Sequence, residues 1–306
     1  MLRRIIAPLD AHDITVVVFA VFLSVICLVF SYAISEWPWL VGANFLGTVL
    51  VVLLAHRSGR SFSRFVAVVH HWYPMAVILL TFKALYFVIF PLHGRDYDDL
   101  LIAIDRWIFG VDPTVWIARF AHPLLTEILQ IAYASFYFLF VIMGIELYRN
   151  GRMKDFLFFV FLILYGFYLS YVGYFFLPAV GPRFTLHDFY STDAELPGLL
   201  FAKVLRDFVN IGESIPTDVS NPAAFTQRDV FPSGHTMMTL VMIYFVWRFR
   251  LKTKVFITVV GSLLIVATVY LRYHYVIDLA AGALFAALCI WSAPRVYRWW
   301  ERLKAA

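Results

Sequence analysis

The chain has 306 residues, of which 62% are hydrophobic, 19% aromatic and only 15% charged. Ordinary soluble domains carry roughly 25% charged residues, so this composition excludes a large soluble core and indicates a polytopic membrane protein. The net charge of +5 is small and spread along the chain, which argues against nucleic acid as a partner. The two cysteines, Cys27 and Cys289, lie in apolar runs without a neighbouring ligand cluster. We expect both to be buried free thiols.

Apolar segments of spanning length occur in eight places, which predicts an all-α, polytopic transmembrane helix bundle of about eight spans, with six expected in the catalytic core. The segments lie near 14–34, 39–55, 71–91, 124–147, 155–177, 235–249, 254–271 and 276–294. The first run follows Arg3 and Arg4 without a clear cleavage site, so we interpret it as a span and not as a removed signal. We see no internal repeat or linker, and we expect residues 1–306 to form a single integral membrane domain.

The positions of Lys and Arg predict the orientation. Most of the 25 basic residues lie in short segments that alternate spans would place on one side, beginning with Arg3 and Arg4 and including Arg57, Arg60 and Arg64. Because short cytoplasmic segments are enriched in Lys and Arg, both termini are predicted to be cytoplasmic. His70 and His71 then mark the cytoplasmic end of the third span, and we do not assign them to a site.

Two longer segments, 92–123 and 178–234, are predicted on the external side. In the first, apolar residues between Asp98 and Trp107 cluster on one helical face, and Asp112-Pro113 is a helix start signal. Both helices are expected in the membrane interface. We interpret Asp98-Asp99 as a solvated helix face. An amphipathic helix is also predicted over 198–209.

Three segments are predicted to meet at the external face: 178–183, 232–235 and 272–278. His274 and Asp278 are spaced i,i+4, so on a helix the carboxylate can hold one ring nitrogen and leave the other free as a nucleophile or base. His235 opens a helix, where a histidine can donate a proton to a departing oxygen. Ionisable residues at membrane depth are costly and usually functional. These segments are therefore predicted to form a catalytic centre.

The other candidate residues are suited to binding phosphate. Ser233 and Gly234 precede His235 at a helix N-terminus, where exposed backbone N–H groups favour an anion. Arg183 and Arg272 supply fixed positive charge for phosphoryl oxygens. Together with His274, Asp278 and His235, these residues predict phosphoryl transfer without a metal or other cofactor.

The motifs resemble those of a known family. Pro232-Ser-Gly-His235 and His274-x-x-x-Asp278 are similar to the second and third signatures of the type 2 phosphatidic acid phosphatase superfamily. That resemblance implies that the later histidine forms a phosphohistidine, the aspartate orients it, and the earlier histidine protonates the leaving alcohol. The stretch from Tyr270 to Gly282 is most similar to the inositol phosphorylceramide synthase branch, and its His-Tyr-x-x-Asp core also resembles that of sphingomyelin synthases. The specific resemblance covers 178–282.

The chain departs from the phosphatase pattern at its cations. The first signature is reduced to Gly181-Pro182-Arg183 without its lysine, and Ala267 and Thr268 occupy the positions of a Ser-Arg pair. Arg272 is a candidate replacement, which favours the synthase-like branch. Alternative readings stay open: the histidines as structural caps of spans, and the arginines as interface residues that extend to lipid headgroups.

These observations predict a multi-pass membrane enzyme with its active site on the extracytoplasmic side and lipids as its partners. The expected activity is a lipid phosphotransferase with a phospholipid donor and a lipid or polyol acceptor. The alternative is a lipid phosphate phosphatase that releases phosphate to water. A transporter with an ionisable relay is the remaining class, but it predicts repeats or discontinuous helices at the midplane. The headgroup, the acceptor and the oligomeric state do not follow from the sequence.

Overall fold

The apolar runs form α-helices in the computed structural model, which describes residues 8–58, 63–216 and 219–305. Helices make up 76% of the structure, and these described ranges contain no strand. The predicted all-α class is therefore confirmed. Arg3, Arg4 and Arg60, which contributed to the orientation prediction, lie outside the described residues.

The helices follow one another along the whole described chain. The first seven are α1 (Ala11–Val29), α2 (Trp37–Ser58), α3 (Arg64–His93), α4 (Asp98–Phe109), α5 (Pro113–Ile117), α6 (Pro123–Ala134) and α7 (Phe136–Arg149). The remaining helices are α8 (Met153–Tyr174), α9 (Pro182–Thr185), α10 (Thr192–Glu195), α11 (Ala202–Gly212), α12 (Gly234–Arg248), α13 (Lys254–Tyr270) and α14 (Val276–Ala305). Two short 3₁₀ turns, Ala118–Phe120 and Pro222–Ala224, complete the described elements.

Each of the eight predicted spans coincides with a helix or with the α6–α7 pair. Among the described residues, α1, α2, α3, α8 and α14 are long and apolar enough to cross a membrane. The pair α6 and α7, bent by 53°, makes a sixth if it is counted as one span. Helices α12 and α13 have only 15 and 17 residues. The fold is consistent with a multi-pass membrane protein, and the count of eight spans stays a prediction.

Helix boundaries follow local sequence signals. Helices α3 and α4 end at Gly94 and Gly110, which adopt the left-handed conformation with φ of 66° and 70° that glycine tolerates best. Helix α5 begins at Pro113 after Asp112, as the Asp-Pro pair predicts. The predicted amphipathic stretch corresponds to α11. The location of these short helices in the membrane interface stays a prediction.

Contacts divide the chain into two compact units. Unit 1 comprises Met1–Gly94, Leu147–Leu169 and Leu288–Ala306. In it, Phe19 of α1 stacks on Tyr168 of α8 with ring centroids 4.0 Å apart. The indole N–H of Trp300 donates to the Leu9 carbonyl at 3.3 Å. Large apolar side chains of α2, such as Phe45, are exposed, as expected for a surface that faces lipid.

Unit 2 comprises Arg95–Glu146 and Ser170–Ala287, and it contains every candidate site residue of the sequence. One core cluster joins Leu129 and Tyr133 of α6 to Tyr270 of α13 and Tyr273 of the following turn. A second cluster packs Leu101 and Ile102 of α4 against Ala179, Val230 and Tyr275. These clusters hold the ends of α4, α6, α13 and α14 together.

Two further expectations concern the whole chain. Cys27 and Cys289 are both free and buried, which confirms the prediction of buried free thiols. Whether residues 1–306 act as a single membrane domain stays a prediction.

Candidate active site

His274 lies in the turn between α13 and α14. The Thr268 carbonyl closes this turn by accepting the backbone N–H groups of Tyr273 and His274 at 2.9 and 3.0 Å. The buried imidazole places Nδ1 3.0 Å from the carbonyl oxygen of Val230. Because a carbonyl only accepts hydrogen bonds, Nδ1 must carry the proton, and Nε2 retains its lone pair.

The surroundings of His274 keep its ring neutral. Burial lowers the pKa of His274 well below its ordinary value, and the neighbouring His235 and the positive charge of Arg183 act in the same direction. The Val230 carbonyl opposes this effect without reversing it. A neutral imidazole with a free Nε2 is a competent nucleophile or base.

Asp278 lies in the first turn of α14, fully buried, with Oδ2 3.4 Å from Nδ1 of His274. Oδ2 also accepts the backbone N–H of Tyr275 at 2.8 Å. The i,i+4 spacing therefore does bring the two side chains together, but not on one helical face, because α14 begins at Val276 and His274 precedes it. The hydrogen bond to Nδ1 comes from the Val230 carbonyl and not from Asp278.

His235 lies in the first turn of α12 and faces His274. The two ring centroids are 5.7 Å apart, in a T-shaped arrangement. The other faces of the His235 ring contact Tyr133 at 4.7 Å and Phe136 at 4.5 Å between centroids. These two aromatic residues flank the bend between α6 and α7, so the break in that helix pair positions the walls around His235.

Ser233 and Gly234 fix the start of α12. The Ser233 hydroxyl accepts the Thr236 N–H at 3.2 Å as an N-cap, and the Ser233 N–H donates to the backbone carbonyl of Asp278 at 3.0 Å. A Cβ at Gly234 would lie 2.5 Å from the Tyr174 hydroxyl, so a larger residue would displace the helix start. The same segment that carries His235 is thereby joined to the segment that carries Asp278.

Arg183 is buried in α9 and anchored to the turn that holds His274. Its backbone N–H donates to the Arg272 carbonyl at 3.0 Å. Its guanidinium pairs with Glu213 and lies over the Tyr273 ring, 4.7 Å from the centroid. Tyr273 in turn stacks on Tyr133 at 4.2 Å. A continuous stack therefore runs from the guanidinium to His235.

Arg272 is placed differently from Arg183. Its side chain is buried and pairs with Glu195, and its Nε has no hydrogen-bond partner among the described residues. The structure thus brings His274, Asp278, His235 and Arg183 together, whereas the Arg272 guanidinium is held by Glu195 of α10. Its backbone, rather than its charge, contacts the site through Arg183.

Two carboxylates of α4 contribute to the site, although the sequence reading left them out. Asp98 accepts the N–H groups of Val180 and Gly181 at 3.0 and 2.8 Å and the Tyr275 hydroxyl at 2.8 Å. Asp105 accepts the N–H groups of Val276 and Ile277 at 2.8 and 2.9 Å, at the start of α14. Both carboxylates are buried, and burial raises the pKa of each while the N–H groups oppose the rise.

The interpretation of Asp98-Asp99 as a solvated face is therefore wrong for Asp98 and right for Asp99, which is exposed. The signal was present in the sequence. Asp98 and Asp105 share the helical face of Leu101 and Ile102, and all four are buried. Acidic residues within an apolar stripe need buried partners, and here the partners are backbone N–H groups.

A cavity of about 430 Å³ adjoins the site. Arg183, Leu271 and Tyr273 line it on one side, and α11 lines it on the other with Lys203 and Arg206. Ligand pockets typically have volumes of about 300–1,000 Å³. Asp193 and Asp207 also line the cavity, where they form ion pairs with Lys203 and Arg206, so its lining is polar and carries both charges.

A family model described as the PAP2 superfamily matches residues 99–292. The matched region begins one residue after Asp98 and includes Asp105, both histidines, Asp278 and Arg183. No curated protein and no solved structure matches the chain.

Proposed function

The chain belongs to the PAP2 superfamily, and on this basis we propose that it is an integral-membrane lipid phosphotransferase with a histidine nucleophile. The observation that carries the proposal is the His274 ring, whose Nδ1 is held by the Val230 carbonyl while His235 faces it at 5.7 Å. Family membership supports a phosphatase-type enzyme. The transferase reaction and the residue roles are our own inference.

In the first step, Nε2 of His274 attacks the phosphorus of a phospholipid, and the bond from phosphorus to the lipid alcohol oxygen breaks. Protonated His235 transfers a proton to that oxygen, so the alcohol leaves neutral. The nucleophile gains positive charge as the N–P bond forms, and the buried Asp278 carboxylate 3.4 Å from Nδ1 stabilises it.

In the second step, the hydroxyl of an acceptor attacks the phosphohistidine. Neutral His235 takes the hydroxyl proton, the N–P bond breaks, and His274 returns to its neutral form. Arg183 is the guanidinium that we place nearest the phosphoryl oxygens, since it borders both the cavity and the Tyr273–Tyr133 stack. Ser233 and Gly234 present the start of α12, with the Ser233 hydroxyl serving as the cap.

The likeness of the Tyr270–Gly282 stretch to the inositol phosphorylceramide synthase branch favours a transferase. We place the headgroup or polyol acceptor in the cavity of about 430 Å³ that Arg183 and Tyr273 border. Charge placement along the sequence supports a site on the extracytoplasmic side with both termini in the cytoplasm.

The test uses purified full-length protein and a phospholipid labelled in its headgroup phosphate, with and without candidate acceptors. Ceramide, diacylglycerol and a free polyol are separate arms. We expect label to move to a lipid or polyol acceptor and to require that acceptor. Release of label to water without any acceptor, as the phosphorylated headgroup or, from a phosphomonoester lipid, as free phosphate, would instead establish hydrolysis and contradict the transferase.

A further inference from the structure

Unit 1 contains a second group of histidines and aspartates, remote in sequence from the catalytic motifs. His12 and Asp13 lie in the first turn of α1, Asp10 is the N-cap of that helix, and His70 lies in the first turns of α3. His12, Asp13 and His70 are all buried. The His70 ring lies inside the unit against α1, 5.1 Å from the His12 ring between centroids, and its position at the cytoplasmic end of the third span stays a prediction.

The ring nitrogens of this group converge on one carboxylate. Nε2 of His70 lies 3.0 Å from each carboxylate oxygen of Asp13. Nε2 of His12 lies 3.4 Å from Oδ1 of the same carboxylate. With one carboxylate oxygen of Asp10 included, four possible ligand atoms lie within 4.8 Å of one another.

His12 is the member that packing alone does not explain. Its side chain is 0% exposed, and neither ring nitrogen has a hydrogen-bond partner among the described residues. A buried polar group without a partner costs about 1–3 kcal/mol, and native structures contain few of them. A ligand at Nε2 would remove this cost.

We propose that Asp10, His12, Asp13 and His70 form a binding site for one zinc ion. Two imidazoles with one or two carboxylates are a typical ligand set for zinc. Zinc–ligand bonds of about 2.0–2.1 Å place the corners of a tetrahedron about 3.3 Å apart. The measured separations of 3.0 and 3.4 Å around Asp13 match that edge.

Neighbouring groups are arranged as an outer shell. The Tyr73 hydroxyl donates to Oδ1 of Asp13 at 2.8 Å, and Lys304 donates to Oδ1 of Asp10 at 2.8 Å. Outer-shell hydrogen bonds of this kind orient ligating carboxylates. Two ionised carboxylates balance the charge of one zinc ion, so Lys304 acts by orienting Asp10.

The site would tie α1 to α3 across 57 positions of sequence. A metal that binds the folded state alone stabilises that state. Its role is structural, and it is independent of the chemistry at His274. The zinc proposal can therefore fail while the proposed reaction stands, and the reverse also holds.

The experiment measures metal in purified full-length protein, before and after reconstitution with zinc or with cobalt(II). We expect about one zinc per chain by mass spectrometry. Cobalt should give the intense visible absorption of a four-coordinate site with nitrogen and oxygen ligands and no thiolate band. Zinc should also raise the temperature of unfolding.

The variants His12→Gln and His70→Gln are expected to weaken zinc binding by at least about 100-fold. His56→Gln is the matched control, because the His56 ring of unit 1 bonds to Val52 of its own helix at 2.9 Å, and this variant should retain the metal. Wild-type protein that binds neither metal would overturn the site, as would His12→Gln and His70→Gln proteins that bind both like wild type. If a variant does not fold, the wild-type cobalt spectrum decides, since weak six-coordinate absorption contradicts the proposal.

Discussion

Both compact units bury histidines beside an aspartate, yet the histidine nitrogens face different groups. In unit 2, Nδ1 of His274 is bonded to a backbone carbonyl, and Asp278 lies 3.4 Å away. In unit 1, two imidazoles approach the single carboxylate of Asp13, and His12 has no hydrogen-bond partner among the described residues. The residue types are the same, and the partner of each ring nitrogen differs.

This difference bears on what each cluster can do. The Val230 carbonyl bonds to Nδ1 and so fixes the tautomer of His274. The lone pair of Nε2 therefore stays available to attack. Nitrogens that converge on a carboxylate instead describe a closed polar site suited to a cation. Composition alone does not distinguish the two cases, because the distinction lies in hydrogen bonding.

The largest expected effects come from replacing one histidine in each cluster and measuring both phospholipid turnover and zinc content. His274→Gln should lower turnover of labelled phospholipid by about 10⁴-fold or more, since no other nucleophile replaces it. The same variant should keep its zinc content. His12→Gln should lose the zinc. A His274→Gln protein with wild-type turnover on every phospholipid tested would refute the catalytic half of the comparison.

Replacing His235 tests whether this residue is the general acid of the site in unit 2. As the general acid, it should contribute about 10²–10⁴-fold to turnover with a lipid alcohol as the leaving group. His235→Gln should lose much less activity on an aryl phosphate ester, because its leaving group needs no proton. Equal losses on both substrates would indicate a role in positioning instead. His122→Gln, a histidine that caps α6 in the same unit, is the control.

Replacing Asp105 tests whether its carboxylate holds the start of α14 in place. Asp105→Asn removes one of the two acceptors that hold Val276 and Ile277 at the start of α14, and we expect a stability loss of about 1–2 kcal/mol. Since this turn positions Asp278, kcat should fall by about tenfold while KM changes little. Thermal unfolding and steady-state kinetics measure both effects.

Asp99→Asn is the matched control, because Asp99 is exposed on the same helix and should change neither quantity. If Asp99→Asn and Asp105→Asn behaved alike, the carboxylate of Asp105 would have no special role in holding α14.

The smallest expected effect concerns His187, a histidine outside both clusters. Burial, with the nearby Arg272, lowers the pKa of His187 from 6.5 to about 4, so the folded protein holds this ring neutral. The unfolded chain binds the proton first as the pH falls. Stability should therefore decrease between about pH 6.5 and pH 4.

His187→Gln should remove that part of the pH dependence, measured as the difference in unfolding temperature between variant and wild type at pH 7.5, 5.5 and 4.5. The glutamine amide can still donate to Thr114, which His187 contacts at 3.1 Å. A difference that does not vary with pH would show that His187 does not titrate on unfolding.

Much of unit 2 followed from the sequence because its information is local. Apolar runs predicted the helices to within a few residues, and the Pro-Ser-Gly-His and His-x-x-x-Asp motifs predicted which side chains meet. The sequence did not distinguish the two arginines, because both occur near polar turns. In the structure Arg272 pairs with Glu195, whereas Arg183 borders the site.

Other features depend on contacts that sequence patterns do not encode. The Val230 carbonyl is a backbone group, so no residue type identifies it as the partner of His274. Asp98 and Asp105 looked like polar residues of an interfacial helix, although their shared face with Leu101 and Ile102 indicated burial. His12 and His70 belong to different helices, and only the packing of α1 on α3 brings them together.

The most direct measurement is chemical trapping of the intermediate. Full-length protein is incubated briefly with phospholipid carrying ³²P in its headgroup, denatured, and the label is mapped on the chain. With His274 as the nucleophile, we expect an acid-labile, alkali-stable phosphoramidate on His274. It should be absent from His274→Gln and should disappear when acceptor is added. Turnover without any label on His274, or with the label on another residue, would contradict the account.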